Sequence, residues 1–485
     1  MQEGWMKLER KPNIIFLLED QQQAQAIEDG HFCITPNIRE LKRDSIVCGQ
    51  AHTCNAICSP SRASLITGVL PHRHGMVDCA HAVPPYRAVF DKDLDTLPQA
   101  LKDSGYQMSY YGKWHIERSG ALERFGFDEY ETEMTIPKFQ LTPVDKVTVH
   151  TPEYSDKIIC GVFAEDSSST EEAYIYGKAM DFIERSRAGG KPWCTFISTY
   201  APHDPYSVPK EVFDLYKDVE IPLPESFGDR MKDKPAIYRR LQSVWKDLTE
   251  EEAKMIIRCY YSYCTLVDIQ VGRLTEYLKR TGQYDNTLIV YLSDHGDLMG
   301  AHGLFCKGVP AFEEIYHIPL FFKMPQNRSA GSFVNQYVST QDIAPTVLEI
   351  AGCRSLDGGI HGESVLPWLL GEVSCGRTAF AEFFGQRFAF TQRIFWKGPY
   401  KYVFNTFDYD EFYNLEEDPH ELVNEIHNER YQEVVREMAQ GMWTEMKRTG
   451  DVTMTDAEYY VLRFAPVGPG EKETSASYSI YNKVF

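Results

Sequence analysis

Short, mainly apolar runs alternate with helix-like segments along most of the chain. Three of the runs are Asn13–Leu18, Trp193–Ser198 and Thr287–Leu292, and helical patterns cover Thr96–Ser104 and Ala173–Ser186. A strand buried on both faces of a sheet carries such a run, because its side chains alternate between two covered faces. The alternation of strands and helices predicts an α/β fold whose mostly parallel sheet is covered by helices on both sides.

The pattern changes after about Cys375. The runs TAFAEFF, FAFTQRIFW and YKYVFNTF alternate and are rich in aromatic residues, which predicts a small antiparallel sheet. An amphipathic helix is predicted to follow and to run through about Met442. We therefore expect two units, a catalytic domain over 1–375 and a C-terminal α+β subdomain over 376–485. The tyrosine-rich tail from Gly450 is expected to be a flexible end or an arm on a neighbouring subunit, which makes a homo-oligomer an expectation.

The composition shows that the chain is acidic, and its cysteines indicate a reducing compartment. The 70 acidic and 50 basic residues give a net charge of −20, which disfavours nucleic acid and anionic membranes as partners. No signal-peptide core and no bilayer-spanning apolar run are found. The 12 cysteines form no CxxC pair, so the expected location is the cytoplasm. An anionic substrate of so acidic a chain needs a local basic pocket.

Polar residues follow four of the predicted strands. The segments that follow them are Glu19-Asp20-Gln21, Gly112-Lys113-Trp114-His115, Tyr200-Ala201-Pro202-His203-Asp204-Pro205-Tyr206 and Ser293-Asp294-His295-Gly296-Asp297. Taken singly, each has a structural explanation, such as a helix cap, a solvated charge or a turn. Ligands of parallel α/β sheets bind beyond the carboxyl ends of the strands. The four segments are therefore expected to meet above one edge of the sheet.

The residue types at these strand ends suit a metal and an oxyanion. Asp20, Gln21, Asp294 and His295 offer oxygen ligands and one imidazole, which favours Ca²⁺, Mg²⁺ or Mn²⁺. The basic side chains that could form the required pocket are Arg62, Lys113, His115, His203 and Lys307. Together the two groups indicate a site for a tetrahedral oxyanion.

Cys58 opens the stretch NAICSPSRASLITG, Asn55–Gly68. Ser59 is the expected N-cap of a helix and Pro60 its first residue. The positive helix end and Arg62 would stabilise negative charge at position 58, so an activated nucleophilic thiol is one interpretation. A soft thiolate, however, is a poor partner for hard-cation oxygen ligands. This mismatch indicates that Cys58 is not used as a thiol.

The chain resembles the sulfatases of the alkaline-phosphatase superfamily. Cys58-Ser59-Pro60-Ser61-Arg62, followed by Leu65-Ile66-Thr67-Gly68, matches their signature, and five other segments are similar: KPNIIFLLEDQ, GYQMSYYGKWH, SDHGDLMGAHG with Lys307, DIAPTVLEIAG and YNLEEDPHELVN. The resemblance implies a large mixed, mostly parallel sheet flanked by helices, plus a smaller C-terminal subdomain. It also implies that a maturation enzyme oxidises Cys58 to formylglycine.

The resemblance assigns a role to each candidate residue. Asp20, Asp294, His295 and the hydrated residue 58 would bind one divalent metal, with Ca²⁺ favoured over Mn²⁺ or Mg²⁺. A hydroxyl of the hydrate would attack sulfur; Arg62, Lys113 and His115 would hold the hydrate, and His115 would later take its proton. His203 and Lys307 would contact the sulfate or protonate the leaving oxygen. Gln21 and His295 stand where many sulfatases carry Asp and Asn, which is similar to the choline sulfatase and phosphonate monoester hydrolase branch.

The expected function is hydrolysis of a sulfate ester, with a sulfated carbohydrate preferred as the substrate over an aryl sulfate or choline sulfate. Segments 130–170 and 220–255 are the expected specificity insertions. One alternative is a phosphonate monoester or phosphodiester hydrolase on the same scaffold, against which the presence of both Lys113 and His115 argues. The other alternative is a non-catalytic metal- and anion-binding protein whose Cys58 is never converted.

Overall fold

The computed structural model describes residues 10–452 apart from 140, 142, 152–153, 387–389 and 407. Most of the tail for which the sequence predicts a subunit arm lies outside the described residues, from 453 onward. Among the helices of the described part, none is long and apolar enough to cross a membrane.

The described residues form three sheets. Their strands are β1 (Asn13–Glu19), β2 (Ile46–His52), β3 (Gln107–Gly112), β4 (Glu129–Thr132), β5 (Pro143–Thr151), β6 (Tyr154–Phe163), β7 (Trp193–Ser198), β8 (Tyr206–Pro209), β9 (Thr287–Ser293), β10 (Leu320–Lys323), β11 (Phe333–Ser339), β12 (Thr378–Phe383), β13 (Gln392–Lys397), β14 (Tyr400–Asn405) and β15 (Glu411–Asn414).

The largest sheet has eight strands in the order β11-β2-β10-β9-β1-β7-β3-β4. Strand β10 pairs antiparallel with both of its neighbours, and the other pairs are parallel. The sheet is therefore mixed and mostly parallel, with seven strands running in one direction. This confirms the predicted fold class and places the carboxyl ends of β1, β2, β3, β7 and β9 on the same edge.

Helices pack on both faces of this sheet. The helices of the described residues are α1 (Pro36–Arg43), α2 (Cys58–Thr67), α3 (Pro71–His74), α4 (Leu97–Asp103), α5 (Glu171–Arg187), α6 (Lys210–Phe213), α7 (Ala236–Gln242), α8 (Glu250–Arg280), α9 (Glu313–Tyr316), α10 (Ile343–Ile350), α11 (Leu366–Leu369) and α12 (Gln432–Thr449). Within β1, Ile14 and Phe16 belong to the core on one face of the sheet, whereas Ile15 and Leu17 belong to the core on the other. Burial on both faces explains why β1 is apolar at successive positions.

The C-terminal region contains the predicted antiparallel sheet. Its four strands lie in the order β12-β13-β14-β15, and helix α12 packs on β13 and β14. The helix ends at Thr449 and not near Met442, because Met442, Trp443 and Met446 continue its buried face and Gly450 closes it in the left-handed conformation. The boundary between 375 and 376 stays a prediction.

Two elements of the fold were not predicted. The hairpin of β5 and β6 forms a third sheet with β8, and helix α8 extends over 31 residues. Thr249 and Glu252 form a capping box at the start of α8, with each side chain accepting a backbone N–H of the other residue. The Thr-x-x-Glu spacing could have identified this start from the sequence.

Candidate active site

The carboxyl edge of the large sheet brings the predicted polar residues together. Asp20 directly follows β1, Lys113 follows β3 and Asp294 follows β9, while Cys58 lies in the first turn of α2, beyond the end of β2. All four residues are 1% exposed or less. The parallel strands thus deliver distant parts of the chain to one buried site.

Helix α2 begins two residues earlier than predicted. Ile57 is the N-cap, Cys58 is the first helical residue and Pro60 is the third, so the expectation of a Ser59 cap is wrong. All ten helical residues are buried, and the Ser59 hydroxyl instead accepts the backbone N–H of Ala80 at 2.9 Å. The Asn55 side-chain oxygen accepts the N–H of Ile57 at 2.9 Å and orients the chain into the helix.

The Cys58 sulfur is surrounded by charged groups. The polar atoms near it are Lys307 Nζ at 2.9 Å, His295 Nε2 at 3.3 Å, Lys113 Nζ at 3.5 Å and Asp20 Oδ1 at 3.7 Å. Burial acts to raise the pKa of the thiol, but the two lysines and His295 outweigh it and hold the pKa well below its usual value. Position 58 is therefore built to carry negative charge.

Four side chains form a cluster with the chemistry of a divalent-metal site. The ligand atoms of Asp20, Cys58, Asp294 and His295 all lie within 4.8 Å of one another. His295 Nδ1 must donate to the Gly296 carbonyl at 2.9 Å, since a carbonyl only accepts, so Nε2 is the nitrogen that faces the cluster and would offer a lone pair to a metal in the neutral imidazole. This Nε2 lies 3.6 Å from a carboxylate oxygen of Asp20 and of Asp294. Two carboxylates and an oriented imidazole fit a divalent cation.

Arg62 links the metal cluster to the neighbouring strand ends. Its Nε donates to Asp294 Oδ2 at 2.6 Å, and its NH1 donates to the Lys113 carbonyl and to Ser198 Oγ, both at 2.7 Å. Its NH2 is buried without a hydrogen-bond partner among the described residues and lies 3.6 Å from Asp20 Oδ2. Burial acts to lower the pKa of Arg62, but Asp294 and Asp20 raise it, so the guanidinium stays charged.

Lys113 holds the other oxygen of Asp20. Its ammonium donates to Asp20 Oδ2 and lies 4.8 Å from the centre of the Tyr200 ring. Asp20 keeps a pKa below its usual value, because Lys113, His203 and Lys307 together outweigh burial and the neighbouring Cys58. Lys113 and Arg62 thus neutralise the two carboxylates.

Gln21 lies between the metal cluster and Lys307. Its backbone N–H donates to Asp294 Oδ1 at 3.1 Å, and its side-chain oxygen accepts from the Lys307 ammonium at 2.8 Å. Its Nε2 donates to Asp297 Oδ2 at 2.5 Å. The side chain therefore holds Lys307 beside Cys58, and a role for Gln21 as a metal ligand stays a prediction.

The two predicted histidines occupy different environments. His115 stacks on His81 with ring centres 4.8 Å apart, and its Nε2 is 3.7 Å from the Cys79 sulfur. Burial and the nearby Lys113 lower the pKa of His115, which favours the neutral imidazole. His203 is 23% exposed and donates from Nδ1 to the Asp204 carbonyl at 2.6 Å.

Asp297, Tyr206 and Glu133 support the site. The sequence analysis placed Asp297 and Tyr206 in strand-end segments without a role and did not single out Glu133. Asp297 accepts from Gln21 and, at 2.6 Å, from the Tyr206 hydroxyl. Glu133 accepts the backbone N–H groups of Trp114 at 2.7 Å and His115 at 3.0 Å. The position of Asp297 two residues after His295 was a signal for it, whereas Glu133 lies in a segment without a recognisable motif.

Comparison with known proteins identifies the family. The sulfatase family profile matches residues 12–353, which include every candidate site residue. The chain belongs to the sulfatase family. By class this sulfatase is a sulfuric ester hydrolase, as the motif resemblance implied. A second profile, described as N-sulphoglucosamine sulphohydrolase, C-terminal, matches residues 300–448.

Individual relatives agree with this assignment. The choline-sulfatase of Rhizobium meliloti is 28% identical over 87% of this chain and 83% of its own. The N-acetylglucosamine-6-O-sulfatase of Bacteroides thetaiotaomicron is 28% identical over 75% of this chain and 72% of its own. The solved phosphonate monoester hydrolase of Silicibacter pomeroyi has the same fold, with a TM-score of 0.77 at 21% identity over 91% of this chain and 96% of its own. The predicted membership of the sulfatase family is confirmed. The likeness to the choline-sulfatase agrees with the predicted branch, and the likeness to the phosphonate monoester hydrolase shows the shared fold.

Proposed function

We propose that this sulfatase cleaves its ester with a formylglycine hydrate made from Cys58 and with one divalent cation, Ca²⁺ ahead of Mn²⁺ and Mg²⁺. The observation that carries the proposal is the surroundings of the Cys58 sulfur, which has three basic side chains within 3.5 Å. Such a pocket stabilises a bound sulfate and the charge that develops during its transfer. Formylglycine would supply an oxygen nucleophile in place of a soft thiolate.

The cation would be held by Asp20, Asp294 and His295. These side chains supply carboxylate oxygens and one imidazole nitrogen, and the oxygens favour a hard cation. When bound, the metal would act as a Lewis acid on the reacting oxygen. Arg62 supports the assignment, because its Nε fixes the Asp294 carboxylate at 2.6 Å and its NH2 lies 3.6 Å from Asp20 Oδ2.

The remaining residues have roles that follow from their charge and position. Lys113 and Lys307 would hold the sulfate oxygens as cations. In the unconverted chain, Asp20 and Cys58 raise the pKa of both lysines against the effect of burial, and in the converted chain the Asp20 carboxylate and the bound sulfate would favour the same charge. His115 would take a proton from the hydrate as a neutral imidazole, which its lowered pKa favours. The exposed edge of the site holds His203, which would face the leaving oxygen.

The substrate class in this proposal is a sulfated carbohydrate. It is supported by the relative named N-acetylglucosamine-6-O-sulfatase, which is similar over 75% of this chain. A formylglycine-generating enzyme is the required maturation partner. We keep the cytoplasm as the proposed compartment, because all 12 cysteines lie within the described residues and are free thiols. We also keep the C-terminal arm as the proposed route to a homo-oligomer, which light scattering of chains with and without 453–485 tests.

The test uses protein produced together with a maturation enzyme. The protein is alkylated and digested, and the tryptic peptide Asp44–Arg62 is analysed by mass spectrometry. This peptide contains Cys48 and Cys54, which serve as internal controls for Cys58. The same protein is assayed with 4-nitrophenyl sulfate and with a matched phenylphosphonate monoester, alongside Cys58→Ala. We expect an aldehyde at residue 58, sulfate release in proportion to the converted fraction, and no turnover by the variant.

Each other outcome selects a different function. Faster cleavage of the phosphonate ester would favour the phosphonate monoester hydrolase alternative. Fully converted, metal-loaded protein that cleaves neither compound nor any of a broad panel of sulfate esters would favour a metal- and anion-binding protein. If Cys48, Cys54 and Cys58 are all alkylated although a competent maturation enzyme was present, the formylglycine mechanism is rejected.

A further inference from the structure

An apolar cavity of about 380 Å³ lies beside the candidate active site. Its wall includes Val149, Ile159, Leu241, Trp245, Leu304 and Phe305. These residues come from three parts of the chain: the hairpin of β5 and β6, the end of α7 with the turn after it, and the loop that follows the metal ligands. The first two parts fall within the segments that the sequence analysis marked as specificity insertions.

Lys307 joins this cavity to the nucleophile. Lys307 lines the cavity, and its ammonium lies 2.9 Å from the Cys58 sulfur. If the sulfate of the ester is bound at residue 58, the alcohol part of the ester, which is the leaving group, would therefore lie at the cavity. The cavity is large enough for one ring, and pockets for small molecules begin at about 300 Å³.

The wall provides an apolar surface with an aromatic plane. Trp245 packs against Phe305 with ring centres 5.2 Å apart and planes inclined by 57°. Val149 and Ile159 are buried in the opposite hairpin. Such a surface binds the flat or C–H face of a ring through its apolar area and dispersion contacts.

The charged groups of the wall are already engaged. Among the described lining residues they are Lys157 and Lys307. Lys157 donates to Asp204 Oδ2 at 2.7 Å, and Lys307 donates to Gln21 and to Cys58. A second anionic group in the cavity would lose part of its hydration without gaining an unpaired cation.

We propose, as an extension of the proposed function, that this cavity binds the leaving group of the ester. It selects a single uncharged ring with an apolar face, and it disfavours a ring that carries a second anionic group. A neutral sugar with one sulfate and a simple aryl ring share this chemistry. A disulfated sugar or a sulfated uronic acid does not.

The first experiment compares two esters of similar size, 4-(methoxycarbonyl)phenyl sulfate and 4-carboxyphenyl sulfate. Their kcat/KM values are measured for wild type, Trp245→Ala, Val244→Lys and Val423→Lys, each with its formylglycine content determined. Val244 lines the cavity and is 42% exposed, so a lysine there adds a cation at the rim without disturbing the core. Val423 is 51% exposed and lies outside the cavity, which makes its lysine variant the matched control.

We expect wild type to prefer the uncharged ester. Val244→Lys should shift the ratio of the two kcat/KM values toward the carboxylate by about fivefold, since a surface ion pair is worth about 1 kcal/mol. The intrinsic reactivity of the two esters does not affect this shift, because the ratio of the two kcat/KM values in the variant is compared with the same ratio in wild type. Trp245→Ala should lower kcat/KM for the uncharged ester by about tenfold, and Val423→Lys should behave as wild type.

Other results would overturn the inference in distinguishable ways. If the protein turns over both esters but neither Trp245→Ala nor Val244→Lys differs from wild type, the cavity does not hold the leaving group, while the sulfatase function stands. If fully converted protein turns over neither ester, the proposed function and the leaving-group assignment both fail.

Hexose monosulfates, assayed in the same way, distinguish the two sources of an uncharged ring. Turnover that falls in Trp245→Ala assigns the cavity to a sugar, whereas turnover of aryl esters alone assigns it to an aryl ring. Preference for disulfated over monosulfated hexoses in wild type would reject the selection against charge.

Discussion

The Lys307 ammonium lies 2.9 Å from the Cys58 sulfur and is held there by the Gln21 side-chain oxygen at 2.8 Å. Gln21 is in turn held by Asp297, whose carboxylate accepts the Gln21 amide at 2.5 Å. Burial acts to lower the pKa of Lys307, but Cys58 and Asp20 raise it above the ordinary value. Lys307 is therefore a fixed cation at the boundary between the nucleophile and the apolar cavity.

Replacing this cation should reduce transition-state stabilisation. Lys307→Met keeps most of the side-chain length and removes the charge, so kcat/KM for 4-nitrophenyl sulfate should fall by about 10² to 10³. The comparison is made at equal formylglycine and metal content. Lys157→Met is the matched control, because Lys157 lines the same cavity but is 59% exposed and pairs with Asp204. A loss of less than tenfold in Lys307→Met, or an equal loss in the control, would contradict this role.

Metal removal should abolish activity and leave the protein folded. The Asp294 carboxylate keeps the Arg62 guanidinium at 2.6 Å, and Asp20 keeps the Lys113 ammonium, so neither carboxylate is left unpaired. We expect protein dialysed against a chelator to keep its circular dichroism spectrum, to lose a few degrees of Tm through linkage and to lose turnover. Ca²⁺ should restore activity at a lower concentration than Mg²⁺.

Asp294→Asn provides a second test of the metal prediction. The amide oxygen can still accept from Arg62 or from the Gln21 N–H, but the side chain loses one negative charge toward the cation. The variant should need a higher Ca²⁺ concentration for half-maximal activity, measured by titration into chelated protein. If the protein unfolds on chelation, Arg62 and Lys113 do not neutralise the two carboxylates in the absence of metal. If the Ca²⁺ dependence of the variant is unchanged, Asp294 does not bind the cation.

The strands that carry the site could be predicted from the sequence, whereas the elements that surround the site could not. Strands β1, β3, β7 and β9 are parallel and buried on both faces, so each appears as a mainly apolar run with polar residues after it. The hairpin of β5 and β6 has a shifted register in three places and pairs with the distant β8. Its pattern has no simple period, and its partner strand is not recognisable from local sequence.

The site residues show the same limit. The position of Gln21 directly after Asp20 suggested a metal ligand, because a chain position predicts which loop a residue joins. The direction of its side chain depends on Lys307 and Asp297, which lie 276 or more residues away. The apolar cavity likewise exists only where three separated segments meet, so no single stretch of sequence indicates it.

Gly296 should be essential for the metal loop because of a close backbone approach. A Cβ at this position would lie 2.0 Å from the Glu314 carbonyl oxygen, and the Gly296 N–H donates to the Ile315 carbonyl at 2.9 Å. Gly296→Ala must displace one of the two segments, and with it the carbonyl that orients His295. We expect a loss of about 2 kcal/mol or more in the free energy of unfolding and weaker metal binding, measured by urea denaturation and Ca²⁺ titration.

Gly177→Ala is the matched control for this substitution. Gly177 lies inside helix α5, and a Cβ there would have no heavy atom within 4 Å. Alanine at such a position should stabilise the protein by about 0.5 to 1 kcal/mol, because it has the higher helix propensity. Equal effects of the two alanines on metal affinity would refute the steric explanation.

Asp410 should make the stability of the protein depend on pH independently of the metal site. It accepts the Tyr402 hydroxyl at 2.6 Å and the Asn405 N–H at 3.0 Å in the C-terminal sheet region. Burial raises the pKa of its carboxyl to about 7, from an ordinary value of 3.8. Because the folded state holds this proton more tightly than the unfolded state, stability should fall as the pH rises from about 4 to about 7.

Asp410→Asn should remove this dependence, since the amide stays neutral at every pH. The variant should match wild type near pH 4 and exceed it at pH 8 by up to about 4 kcal/mol in the free energy of unfolding. Urea denaturation of both proteins at pH 4, 6 and 8, in chelator to exclude metal effects, measures the difference. Asp181→Asn, at an exposed position of helix α5, should show no such trend. A constant difference across the three pH values would mean that Asp410 titrates alike in the folded and unfolded chain.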